Sequence, residues 1–218
     1  QETSTDLEGN PIPYASQPLA VMEGVVSASA GADFTVALKA DGTLWTWGGN
    51  DEGQLGTGTT EGSTTPVQVL DQVTAVVAGD YHVAALRTDG TLWTWGDNLY
   101  GQLGDGTYTS RPTPAQVMEG VTTVAAGVGA TAAICTDSTL WTWGDNLFGQ
   151  LGDGTQDSRP TPQQILTDVS AVNLGGYHAA AIRTDGTLWM WGSNIDGQLG
   201  TGQATEVLQT QPVQVPLN

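Results

Sequence analysis

Leu44-Trp45-Thr46-Trp47-Gly48 runs on through Asn50 to Gly53-Gln54-Leu55-Gly56, and this stretch is written four times in the chain. It returns as Leu92-Trp93-Thr94-Trp95-Gly96 with Gly101-Gln102-Leu103-Gly104, and as Leu140-Trp141-Thr142-Trp143-Gly144 with Gly149-Gln150-Leu151-Gly152. The last copy is Leu188-Trp189-Met190-Trp191-Gly192 with Gly197-Gln198-Leu199-Gly200. The first Trp of each copy follows the one before by 48 residues, without drift. A period of this size marks an array or a propeller, in which each unit buries its apolar face against a neighbour. Units this short cannot each enclose a core, so the 218 residues read as one repeat domain.

Working outward, the second unit is the clearest. Pro66-Val67-Gln68-Val69-Leu70 reads as a short strand opened by proline, a residue confined to strand starts and edges. Asp71-Gln72 is a turn, and Val73–Ala78 is a β-branched strand. Gly79-Asp80-Tyr81 breaks it before a third strand from His82, with small inward residues Ala84 and Ala85. Thr88-Asp89-Gly90-Thr91 is a hairpin turn, and Leu92–Gly96 is the fourth strand. A long Gly-rich loop over residues 97–113 leads to Pro114. Gly and Pro density and the period-two alternation exclude paired helices. Four short antiparallel strands per unit predict an all-β fold, a β-propeller of four blades or half of a larger composite ring.

In this frame a tail, residues 1–17, precedes units 18–65, 66–113, 114–161 and 162–211. Ile12 and Tyr14 are the groups able to anchor the tail. The last loop is two residues longer, and Pro212-Val213-Gln214-Val215 then repeats Pro66-Val67-Gln68-Val69. The chain thus holds a fifth copy of the first strand. The surplus copy is either the one around Pro18, Leu19 and Val21 or the one around Pro212, Val213 and Val215. It closes the last blade or pairs with another molecule.

The pieces Gly-x-x-His-x-x-Ala-Leu, Asp-Gly-x-Leu-Trp-x-Trp-Gly and Asn-x-x-Gly-Gln-Leu-Gly-x-Gly resemble the repeats of the RCC1 (regulator of chromosome condensation) family over residues 18–215. The resemblance implies a propeller, usually of seven blades in relatives, whereas four repeats are present here. The family's namesake exchanges nucleotide on a small GTPase and binds chromatin, and neither role suits this charge. The bacterial secreted members, including a propeller that inhibits β-lactamase through aromatic-rich loops, are the nearer parallel.

With 23 acidic and 5 basic residues the chain carries a net charge of −18. Such a surface repels phosphate backbones and anionic lipid, so no nucleic-acid partner is expected. The acidity serves solubility, or matches a basic partner or a salty habitat. No apolar run reaches the roughly 18 residues of a membrane span. One cysteine, Cys135, rules out an internal disulfide, and it takes the place held by Lys39, Arg87 and Arg183 in the other units. The first residue is Gln1, which predicts removal of a signal peptide or a cut from a larger chain, and the Lys-poor composition predicts an extracellular or cell-surface protein.

No catalytic constellation is legible, and the chain reads as a non-enzyme without cofactor or metal. His82 and His178 stand where Phe34 and Ala130 stand in the other units, so theirs is a packing position. The Asp-Asn and Asp-Gly loops lack the spacing of a calcium loop and read as turn chemistry. The eight Trp residues read as core between blades, with sugar stacking by an exposed ring as the lesser alternative. Gln54, Gln102, Gln150 and Gln198 read as buried amides that satisfy loop backbone.

Differences between units point to function, because the fold explains the sameness. The pairs Asp51-Glu52, Leu99-Tyr100, Leu147-Phe148 and Ile195-Asp196 precede the four Gly-Gln-Leu-Gly turns. By symmetry they share one face, and Tyr81 and Tyr177 join them. Aromatic anchors among acids either pack over the blade edge or form a protein-binding hot spot. The expected function is a protein-interaction module, with a self-assembling dimer or fibre joined by terminal strands as the alternative.

Overall fold

The computed structural model describes residues 20–216, so Pro18, Leu19 and the tail lie outside the described residues. Sixteen strands form four antiparallel sheets, each built from four strands consecutive in sequence. The first holds β1 (Val25–Ala30), β2 (Phe34–Lys39), β3 (Leu44–Gly48) and β4 (Ser63–Leu70). The second holds β5 (Val73–Ala78), β6 (His82–Arg87), β7 (Leu92–Gly96) and β8 (Arg111–Met118). The third holds β9 (Val121–Ala126), β10 (Ala130–Cys135), β11 (Leu140–Gly144) and β12 (Arg159–Leu166). The fourth holds β13 (Val169–Leu174), β14 (His178–Arg183), β15 (Leu188–Asn194) and β16 (Thr205–Gln214). These are propeller blades, as the repeat predicts.

The strands group differently from the repeat frame of the sequence. The proline-headed strand is the last of the sheet before it: Val67 pairs with Thr46 and Gln68 with Trp45. At an outer edge its missing N–H leaves no ladder bond unmade. Pro212 and Val213 accordingly lie in β16, with Val213 opposite Met190, and the Val215 N–H donates to the Leu188 carbonyl. Among the described residues this copy is therefore not surplus. Val21 lies exposed ahead of β1.

The two Trp of each unit do different work. The second ring is fully buried in three sheets, at Trp95, Trp143 and Trp191. Its Nε1–H donates to a carbonyl of the preceding sheet's loop: Trp95 to Gln54 at 3.0 Å, Trp143 to Gln102 at 2.9 Å, Trp191 to Gln150 at 2.8 Å. The first ring is only half-buried, and Trp93, Trp141 and Trp189 pack at the margin of the cores between sheets. Its Nε1–H donates to a Thr hydroxyl two residues back, which in turn donates to the hairpin Asp, as in Trp45, Thr43 and Asp41. The same chain recurs at Trp93, Trp141 and Trp189. The Thr hydroxyl and N–H hold Asp41, Asp89, Asp137 and Asp185 below the usual carboxylate range.

The position of Cys135 now has a physical meaning. Lys39, Arg87 and Arg183 each hold a cation over the first Trp ring of their own sheet, at 5.8, 5.2 and 4.3 Å from the centroid. The third sheet has Cys135 there, and Trp141 goes without. Cys135→Arg is expected to stabilise the protein by about 0.5–1 kcal/mol, the scale of an exposed cation–π contact, read as a rise in the urea midpoint at unchanged slope. Ser138, where the other units have glycine, takes the left-handed conformation itself, with φ of 63°.

Apolar cores lie between successive sheets. Leu38 and Val36 meet Val73, Val76 and Trp95. Leu86 and Ala84 meet Val121, Val124 and Trp143. Ile134 and Ala132 meet Val169, Val172 and Trp191. Among the described residues, four sheets thus share three such seams, and the array is an open arc. No helix of the described residues is long and apolar enough to cross a membrane.

Candidate functional site

The loops after β1, β5, β9 and β13 and those after β3, β7 and β11 converge on one face and enclose a cavity of about 580 Å³. Its walls are built by repetition. Asp33, Tyr81, Gly129 and Tyr177 occupy one register position in the four units, and all four line it. Asp51, Leu99 and Leu147 occupy a second, and Glu52, Tyr100 and Phe148 a third. Eight of the ten residues marked from sequence for partner binding are therefore brought together: Asp51, Glu52, Leu99, Tyr100, Leu147, Phe148, Tyr81 and Tyr177.

Ile195 and Asp196 are exposed but lie away from the cavity. The first three Gly-Gln-Leu-Gly loops lean on the outer strand of the following sheet. A Cβ built on Gly53 would lie 2.6 Å from Pro112, on Gly101 2.5 Å from Pro160, and on Gly149 2.9 Å from Thr210. Among the described residues the fourth loop meets no following sheet, and the pair beside Gly197 is exposed.

The loops are held rigidly. Gln102 is buried, its Oε1 accepts the Tyr100 N–H at 2.9 Å, and its Nε2 donates to Asp97 at 2.7 Å. Gln54 and Gln150 accept from Glu52 and Phe148 in the same way. Asn98 Oδ1 accepts the Leu103 N–H while its Nδ2 donates to the Thr107 and Thr109 carbonyls, and Asn146 repeats this with Leu151, Thr155 and Asp157. The Asp-Gly acids are used internally too: Asp105 and Asp153 pair with Arg111 and Arg159 and accept from Thr107 and Thr155. Those partners offset burial and hold both carboxyls low. No group of three or more His, Cys, Asp or Glu is placed to hold a metal among the described residues.

The cavity is lined by apolar side chains and carboxylates together. Tyr81, Tyr100, Tyr177, Leu99 and Leu147 are exposed. Phe148 and Tyr177 bridge the third and fourth sheets, with ring centroids 4.5 Å apart at 43°. Six carboxylates line the cavity, from Asp33, Asp51, Glu52, Asp80, Asp97 and Asp145, and no basic residue does. Sequence reading missed Asp33, Asp80, Asp97, Asp145 and Val128. The 48-residue register would have found Asp33, since it is the counterpart of Tyr81.

The RCC1-like domain model matches residues 1–218. Among solved structures the chain is similar to human WBSCR16, at 27% identity and a TM-score of 0.79 over 90% of this chain and 54% of that one. It is similar to yeast RCC1 (Prp20) bound to Kap60, at 21% identity and a TM-score of 0.77 over 95% and 51% of the two chains. It is also similar to Saccharomyces cerevisiae Prp20p, a protein characterised for binding Gsp1p and histones, at 21% identity and a TM-score of 0.75 over 99% and 58%. The chain thus spans little more than half the length of these structures. Comparison with curated protein sequences gives no match.

Proposed function

The chain belongs to the RCC1-like domain family, and we propose on that footing that it is a non-enzymatic protein-interaction module that takes a partner segment into the loop-face cavity. One observation carries the reading: exposed aromatic rings line a concave site with six carboxylates and no cation. That combination suits a protein segment bearing Lys or Arg beside an apolar anchor. The rings cover the alkyl stem and face the cation, and the carboxylates supply charge complementarity. Rigid loops lower the entropy lost on binding. Prp20p's binding to Gsp1p and histones agrees in kind, as protein binding by this fold. We place the protein outside the cell or on its surface, a reading that rests on composition and the acidic charge.

The test is a screen of fluorescent peptides that combine Lys or Arg with an aromatic residue. Hits should weaken as salt rises, and the double substitution Tyr100→Ser with Phe148→Ser should reduce their affinity at least about thirtyfold, the effect of losing a hot spot of about 2 kcal/mol. Binding that the double variant leaves unchanged would remove the loop face from the function.

Self-assembly through terminal strands is the second reading. Pro212 and Val213 lie in the long edge strand of the fourth sheet and Val215 follows it, and the strand's free side is open to another chain.

A further inference from the structure

The two outer faces of the arc carry the residues that elsewhere form the two sides of a seam. Within a seam, Leu38, Leu86 and Ile134 are 3%, 6% and 3% exposed, yet their counterpart Ile182 is 43% exposed. They meet Val73, Val121 and Val169, which are 3%, 3% and 1% exposed, while the counterpart Val25 is 38% exposed. One face carries the orphaned trailing residue, and the other carries the orphaned leading one.

The tryptophan key is split in the same way. Trp47 is half-buried and finds no acceptor for its indole N–H among the described residues, unlike Trp95, Trp143 and Trp191. Its seat stands empty at the other end of the arc. A Cβ on Gly56, Gly104 or Gly152 would strike an indole at 2.7, 2.7 or 2.8 Å, whereas at Gly200 it would meet only Val215, at 3.7 Å.

A polar register says which sheet fits. In the seam between the second and third sheets, His82 Nε2 and Thr131 Oγ1 are 3.0 Å apart. The same two positions hold Phe34 and Val83 in the first seam and Ala130 and Ala179 in the third, so those seams are apolar there. The trailing face of the fourth sheet presents His178, and the leading face of the first presents Thr35. Both are half-buried where Thr131 and His82 are fully buried. A Thr opposite His178 is what this chain's own first sheet supplies.

We infer that a second copy of this chain docks head-to-tail, its first sheet on the fourth sheet of its partner, with Trp47 over Gly200 and Thr35 at His178. The reciprocal contact closes two chains about a two-fold axis into a ring of eight sheets. This is packing of blade faces, a different contact from exchanged strands.

Light scattering behind size exclusion over a wide concentration range tests it. The expected mass is that of two chains, each of 22.6 kDa. Val25→Glu and Ile182→Glu, both at sites open in the single chain, should each give one chain, with circular dichroism unchanged. Mixing the two variants should give a pair joined by one intact seam, because the first keeps its trailing face and the second its leading face, and that pair should dissociate at a higher concentration than wild type because its other seam sets one Glu against the other. A mass of one chain at every concentration overturns the inference, and so does a pair that survives both substitutions, which would favour exchanged strands. Tyr100→Ser with Phe148→Ser should leave the mass alone, so failure of either reading leaves the other standing.

Discussion

Trp143→Ala should lower stability by about 3–5 kcal/mol, the scale of truncating a buried aromatic. Against a typical total of about 5–15 kcal/mol, that removes about a fifth or more of the folded margin. The ring is fully buried between the second and third sheets among Leu86, Leu92, Val121 and Val124. Its indole N–H reaches the Gln102 carbonyl, so truncation loses that bond and opens a cavity together. Thr131 Oγ1 also donates to that carbonyl, at 2.8 Å, so the acceptor keeps one partner and the loss is chiefly packing. Trp47→Ala is the control. Trp47 is half-buried at the open end of the arc, so in a dilute single chain its removal should cost well under half as much. Urea midpoints of the two variants check this. Equal losses would mean that the first sheet is already packed on something, and would contradict an arc with three seams.

The contrast shows what was legible beforehand. Strict spacing gave the four sheets and the tryptophan pairs, because each residue of a repeat meets the same neighbour in every unit but the terminal ones. The two rings of Leu-Trp-Thr-Trp-Gly looked alike from their shared strand face. Only the neighbouring sheet distinguishes them, since the second reaches the preceding unit's Gln carbonyl and the first is held by its own hairpin. The strand grouping was misread because Pro66 and Pro212 punctuate the sequence strongly. The closing strand's pairing to Trp45 or Trp189 is made across a Gly-rich loop that carries no length signal of its own. Tyr100 and Phe148 were found by asking where the units differ. Asp97 and Asp145 were passed over because loop acids usually serve their own turns, and both do so here through the Leu99 and Leu147 N–H groups while still facing the cavity.

His82 makes the fold acid-sensitive. It is fully buried, Nε2 meets Thr131 Oγ1, and Nδ1 has no partner among the described residues. Burial pushes its pKa down from 6.5 to about 4, against a smaller opposing pull from the Asp97 charge. The unfolded chain therefore binds a proton there between about pH 6.5 and 4 that the folded chain refuses, and stability must fall as pH falls through that window. The full loss is about 3 kcal/mol, of which about 2 kcal/mol has gone by pH 5. The carboxylates held low, Asp105 and Asp153 among them, add to the loss only below about pH 4, where the unfolded chain's own carboxyls protonate. The first seam already contains the apolar solution, Phe34 opposite Val83. Copying it as His82→Phe with Thr131→Val should flatten the stability profile between pH 7 and 5 while leaving the steeper fall below pH 4. The Gln102 carbonyl keeps the Trp143 indole as donor in that variant. Urea midpoints at pH 7, 5 and 3.5 for both proteins decide it. A wild-type profile flat from pH 7 to 5 would show that His82 takes up its proton inside the fold, which requires the seam between the second and third sheets to admit water.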